Sequence, residues 1–171
     1  MTSKLKTDIL ETVSGSGTIA LTNQLSGMTS ASVPSGSVIQ VVSHKNSSQN
    51  GTTSTSFVAT DSTVTITPTS TSSKIYILTS SPMYSNANDG HIYTTIYRGS
   101  TNVNGSDELQ LFAAGNNSMG RWSNGSMSFL DSPATTSATT YTVYFRRASG
   151  STVYYDANGG MATITLMEIK G

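Results

Sequence analysis

Two histidines, nine acidic side chains, nine basic ones and no cysteine are what this 171-residue chain offers, beside its many hydroxyls, for acid–base or metal chemistry. Neither His44 nor His91 has partners at the spacing of a zinc site or a hydrolytic triad, and the two fall on different predicted strands. The carboxylates Asp89, Asp107, Glu108 and Asp131 make no calcium-loop pattern. A pair of carboxylates for glycoside hydrolysis is recognised only by its separation across a cleft, so the residue types support no metal, no cofactor and no catalysis. Recognition chemistry is better represented. In "MYSNANDGHIY" the residues Tyr84, Asn86, Asn88, Asp89, His91 and Tyr93 lie in or beside one connection. Amides and a carboxylate there can exchange hydrogen bonds with sugar hydroxyls, and tyrosine rings can cover the apolar face of a pyranose, which makes this the candidate loop for binding a sugar or a protein. "NNSMGRWSNG", with Arg121 and Trp122, is next in line, although Trp122 suits a core as well as a rim. Asp131 in "FLDSP" reads as a strand end, its carboxylate accepting backbone N–H bonds while proline forbids the next ladder bond.

The elements that must position these residues are strands. Period-2 alternation recurs almost everywhere and a helical stripe almost nowhere, with β-branched and aromatic residues dominating the apolar set. Strands are predicted over 38–44, 53–59, 62–67, 74–80, 91–97, 108–113, 126–130, 141–147, 151–155 and 162–169. So many short strands separated by turn signals predict an all-β, antiparallel two-sheet sandwich of jelly-roll type, because an open sheet would leave one apolar face wet. Asn-Gly at 50–51, 104–105 and 124–125 is expected to form turns.

The chain divides in composition near Pro34. Residues 34–171 are expected to form the sandwich. Residues 1–33 hold Leu5, Ile9, Leu10, Val13, Ile19 and Leu21 around a Gly-Ser-Gly turn, followed by a low-complexity stretch, which together read as a docking arm and its tether. Three predicted strands are apolar on both faces: Val38, Ile39, Val41 and Val42; Ile75, Tyr76, Ile77 and Leu78; and the last, where Ile164 and Leu166 oppose Met167 and Ile169. Burying each such side chain is worth about 1.5–3 kcal/mol, so identical neighbours are the simplest cover. Ile39, Val41, Ile77, Met167 and Ile169 are the candidate contacts of a homotrimer.

Only 11% of residues are charged and the net charge is zero, so hydroxyls and amides must keep the surface hydrated, and no basic run is available for phosphate. Nucleic acid is not an expected partner. The first fifteen residues hold no continuous apolar stretch, which predicts neither a secretory leader nor membrane insertion.

The stretches "VPSGSVIQVVS", "STVTITPTSTSSKIYIL", "IYRGST", "SMSFLDSPATTSATTYTVYFR" and "ATITLMEIKG" resemble small virion proteins of tailed bacteriophages, particularly those of marine and freshwater hosts. The resemblance covers nearly all of 33–171. The amino-terminal "LKTDILETVSGSGTIAL" is similar to the short repeat by which such fibre proteins join the particle. The resemblance implies a trimeric jelly-roll knob, assembled in the host cytoplasm and displayed on the virion as a tail-fibre or appendage tip for binding a host-surface glycan or protein. It implies as an alternative a capsid decoration or head-fibre protein; a fibre-borne polysaccharide depolymerase has the least support.

Overall fold

The computed structural model describes residues 33–86, 90–105, 108–113 and 121–171. The chain divides between Ser32 and Val33, and Leu5, Ile9, Leu10, Val13, Ile19 and Leu21 lie outside the described residues, as does the arm to which they were assigned.

Between residues 33 and 171 apolar and polar side chains alternate over runs too short for long helices, and among the described residues these runs form strands, with one 3-10 turn at Ala157–Gly159: β1 (Val38–Asn46), β2 (Asn50–Thr52), β3 (Val58–Ile66), β4 (Lys74–Ser85), β5 (His91–Arg98), β6 (Thr101–Asn102), β7 (Gln110–Ala113), β8 (Arg121–Asp131), β9 (Thr139–Ser149), β10 (Val153–Tyr155) and β11 (Ala162–Ile169). One sheet runs β1-β11-β4-β8, with β10 continuing the line of β11 along β4 and β2 outside β10; the other runs β3-β9-β5, with β6 and β7 both on β5. All pairings are antiparallel. Setting aside the short β2, β6 and β10, the first long strand lies beside the eighth and the third beside the sixth, while the second lies beside the seventh and the fourth beside the fifth. That order is the double Greek key of a jelly roll, so the expected fold class stands.

Between the sheets pack Ile66, Ile75, Ile77, Ile96, Phe145 and Leu166, each essentially inaccessible to water. Some polar groups drawn inward are paired, whereas others, both Asp156 carboxylate oxygens among them, have no partner at good hydrogen-bond geometry among the described residues. Glu168 accepts from the Thr69 backbone N–H (2.7 Å), the Thr69 hydroxyl (2.8 Å) and the Gln40 amide (3.1 Å). Asp131 does end β8, but its carboxylate takes no strand-ending backbone bond of the kind expected. It accepts instead from Arg98 (2.6 and 2.8 Å) and from the Tyr141 hydroxyl (2.7 Å), tying the two sheets together at one end.

Several local expectations are revised. The strands expected at 53–59 and 62–67 are one strand, β3, interrupted by a register shift between Ala59 and Thr63. Residues 53–57 are instead held in tight turns, Thr52 and Ser54 hydroxyls accepting from the N–H groups of Ser54 and Ser56. Of the three Asn-Gly pairs only 104–105 is a turn, with Gly105 at φ 77° and its N–H on Asn102. Gly51 and Gly125 lie within strands because neighbours occupy the space of a side chain: a Cβ on Gly51 would stand 2.9 Å from the Tyr154 ring, and one on Gly125 would collide with Met83 and Gln110. Pro82 is tolerated inside β4 because it falls where β10 has ended and β11 has not begun, leaving no ladder bond for its missing N–H on that side.

Candidate functional site: an aromatic ladder on the six-stranded sheet

The outer face of the six-stranded sheet has three zones. At the end where β1 begins, cross-strand registers place Val41, Met167, Tyr76 and Leu130 in one row over four strands, with Val38 and Ile169 beside it. Val41 is 55% exposed, Val38 51% and Leu130 48%. The middle rows are mainly hydroxyls, with Leu78 the apolar exception; they include a Ser43–Thr165 bond of 2.9 Å and Ser80, which accepts from the Asn124 amide at 3.3 Å. At the far end the register aligns Trp122 of β8, Tyr84 of β4, Tyr154 of β10 and Gly51 of β2.

These three rings form a ladder. Trp122 stacks on Tyr84 with centroids 4.5 Å apart and planes at 29°, and Tyr84 leans on Tyr154 at 5.8 Å and 31°. The Tyr154 ring in turn lies over Gly51, where no other residue leaves room for it. Strands about 4.8 Å apart bring ring faces together in this way when aromatics sit directly opposite. Tyr84 is therefore covered on both sides and Tyr154 on at least one. Trp122 sits on the last strand of this edge and is 54% exposed, about what remains when one of two ring faces is covered. The open face of Trp122 is the one large aromatic surface the ladder offers to a ligand. Asn124 lies two residues on along the same strand face, and Asn86 joins the ladder through Tyr84, its side-chain oxygen accepting from the Tyr84 hydroxyl at 3.3 Å.

The residues singled out in the sequence are divided by this geometry. Tyr84, Asn86 and Trp122 come together. His91 and Tyr93 do not join them, because the connection 86–90 carries the chain from one sheet to the other, and β5 turns both side chains to the opposite outer face. There His91 Nδ1 shares a hydrogen bond of 2.5 Å with the Ser149 hydroxyl. Asn88 and Asp89 lie outside the described residues. The Arg121 backbone pairs with Ser85 next to the ladder, and its side chain is outside the described residues. Among the interface candidates, Val41, Met167 and Ile169 point outward in the apolar zone, and Ile39 occupies the bulge where the register shifts between Val38 and Gln40. Ile77 is corrected: it is fully buried between the sheets, and its neighbours Tyr76 and Leu78 carry the outer face instead, since alternate residues of a strand face opposite ways. Tyr154 was not singled out; only the β10–β4 register reveals its place, although its spacing from Tyr155 and Val153 marks it as outward-facing.

Among the described residues no group of three potential ligands could hold a metal ion, and no helix is long and apolar enough to cross a membrane. A comparison with protein-family models finds no match, and a comparison with curated proteins finds no significant relative.

Proposed function

We propose that the protein is a binding module without catalytic activity, displayed on a tailed-bacteriophage virion as a homotrimeric tail-fibre or appendage knob, which recognises a glycan of the host surface through Trp122. The open Trp122 face at the end of the ladder carries this reading. A pyranose presents one face of C–H groups, which stacks on an aromatic ring, and a rim of hydroxyls, which Asn86 and Asn124 are placed to bond. Tyr84, stacked on its covered face, holds the indole upright, so little side-chain entropy remains to be lost on binding. The ladder also lies at the end of β4 opposite to Lys74 and Val38, about 33 Å away for the ten residue steps from Lys74 to Tyr84. Residues joined to the particle through Val33 would thus leave the site at the distal end. The apolar row Val41–Met167–Tyr76–Leu130 supports association with sister copies, and three weak sites on one knob gain roughly 10²–10⁴ in avidity when the ligands are suitably spaced.

The sole tryptophan makes the test direct. An array of bacterial surface polysaccharides probed with the full-length protein should give a set of neutral glycans, and titrating these should shift the Trp122 fluorescence saturably. Trp122→Ala should abolish binding, while Tyr154→Ala, which removes a ring from the covered end, should retain it. Binding unchanged in the Trp122 variant would refute the site. Sedimentation equilibrium tests the trimer: a monomer of 17.9 kDa at micromolar concentration would exclude it.

A further inference from the structure

The opposite outer face, on the sheet β3-β9-β5, carries a second constellation with a different chemistry. Tyr93 of β5 and Arg146 of β9 are register partners. The Arg146 guanidinium lies 4.3 Å from the centre of the Tyr93 ring and 5.2 Å from that of Phe57, held by both through their negative π faces. Beyond it Tyr97 and Tyr144 stack at 3.9 Å, and Phe57 meets Tyr97 edge-on at 6.3 Å. Further along the same face run two hydroxyl ladders, Thr63 with Thr142 at 2.8 Å and Thr65 with Thr140 at 2.7 Å. The strip therefore reads, along β9, as a fixed cation, an aromatic pair and a hydroxyl ladder.

Rings engage a guanidinium through its faces and leave its in-plane N–H fork for an acceptor. The nearest carboxylate among the described residues, Glu108, stands 3.6 Å from Arg146, too far for a hydrogen bond, and partly exposed pairs of this kind are easily displaced. Among the described residues Arg146 is thus oriented on both sides yet has no bidentate partner of the kind its fork fits best.

We infer that this strip is a second binding site, selective for a carboxylated sugar of the uronate type, whose carboxylate takes the Arg146 fork while its ring and hydroxyls lie along Tyr97, Tyr144 and the threonine ladder. The inference rests on the reading of the protein as a glycan-binding module but uses a separate face and separate residues. A glycan fits better than an acidic peptide. The strip crosses the middle of a sheet, where strand backbones are already paired, so an extended peptide would find no main-chain partners there.

The test uses the full-length protein and two probes with the same sugar backbone, trigalacturonate and its uncharged, fully methyl-esterified form, measured by isothermal titration calorimetry. The acid should bind at least ten-fold tighter than the ester. Arg146→Gln should weaken acid binding ten-fold or more, and Arg146→Lys, which keeps the charge and loses the fork, should recover only part of it. Glu108→Gln should strengthen it several-fold by removing the competing carboxylate, a gain that a merely structural ion pair would not give. Trp122→Ala should leave it unchanged, so failure here and failure at the aromatic ladder are separable. Equal affinity for acid and ester, no binding of either at millimolar concentration, an indifferent Arg146→Gln variant that melts like the parent, or equal binding of a tri-glutamate peptide would each overturn the inference.

Discussion

Replacing Arg98 by methionine should cost the fold about 3 kcal/mol, the low end of the range for stranding a buried charge. The Asp131 side chain is only 10% exposed and holds three short hydrogen bonds, two of them from Arg98. Removing the guanidinium leaves the carboxylate with Tyr141 alone. The estimate stays at the low end because Arg98 is 32% exposed, so water gains access once it is gone. The reverse change is milder. In Asp131→Asn the amide oxygen still accepts from Tyr141, and Arg98 can turn its exposed end to solvent, so about 1–1.5 kcal/mol is expected, the worth of an ordinary hydrogen bond. Once Arg98 is gone, neutralising Asp131 removes the stranded charge. The double variant should therefore be no less stable than Arg98→Met alone, giving a coupling energy of about 1–1.5 kcal/mol. Urea unfolding followed by circular dichroism at the four corners of this cycle measures it. A 3 kcal/mol loss should also lower the melting temperature by about 6–12 °C. Additivity within about 0.5 kcal/mol would refute the argument, since it would mean that the two groups do not act as a pair.

Three further outcomes depend on buried titratable groups. Burial opposes charge on Glu168, but hydrogen bonds from Ser73, Thr69 and Gln40 outweigh it and hold the carboxyl below its ordinary range. That stability is present above about pH 4.3 and lost as pH falls through the depressed value, so Glu168→Gln should cost about 2 kcal/mol at pH 7 and flatten the acid limb of a pH–melting curve. Asp156 behaves oppositely: burial raises it, against a backbone bond from Ala162, so its contribution is present below about pH 4 and declines as pH rises through the raised value. Asp156→Asn keeps a residue type that tolerates φ 57° and should stabilise the fold by about 1 kcal/mol at pH 7 but not at pH 3, compared by thermal melts at both. Burial pushes the Tyr155 phenol up to about 12, with Ser62 and Ser81 acting the other way. The fold should therefore lose stability as pH rises above about 10, and Tyr155→Phe should remove part of that slope in alkaline melts.

The strands were legible because alternation survives without tertiary context: Val64 and Ile66 between threonines define a half-buried strand whatever lies beside it. What the chain could not disclose is which strands become neighbours. The parity of "KIYIL" is ambiguous when both faces are apolar, and only the packing of Ile75 and Ile77 between the sheets assigns Tyr76 and Leu78 to the outside. The glycines at 51 and 125 resemble turn glycines because the reason for them, a ring or side chain from a distant strand, is absent from the local sequence. The same holds for the site. Tyr84 and Tyr93 bracket one connection in sequence, yet a chain that changes sheets between them sends them to opposite faces. Tyr84, which as a loop-tip residue would be expendable, is instead the middle rung of the ladder, so its loss should disturb Trp122 and Tyr154 together.

The pairing of β1 with β11 has a mechanical consequence. Eight register pairs join these strands from Val38–Ile169 to Asn46–Ala162, and β11 is joined in turn to β4, which runs to the aromatic ladder at the other end. A pull applied at Val33 and resisted at Trp122 therefore acts along the strand axes. Such a load is shared by the whole β1–β11 ladder at once, as in a lap joint, whereas a pull across the strands would open the bonds one after another like a zip. A molecule held at its first strand and loaded at its far tip is thus strained in the direction in which this sheet resists most.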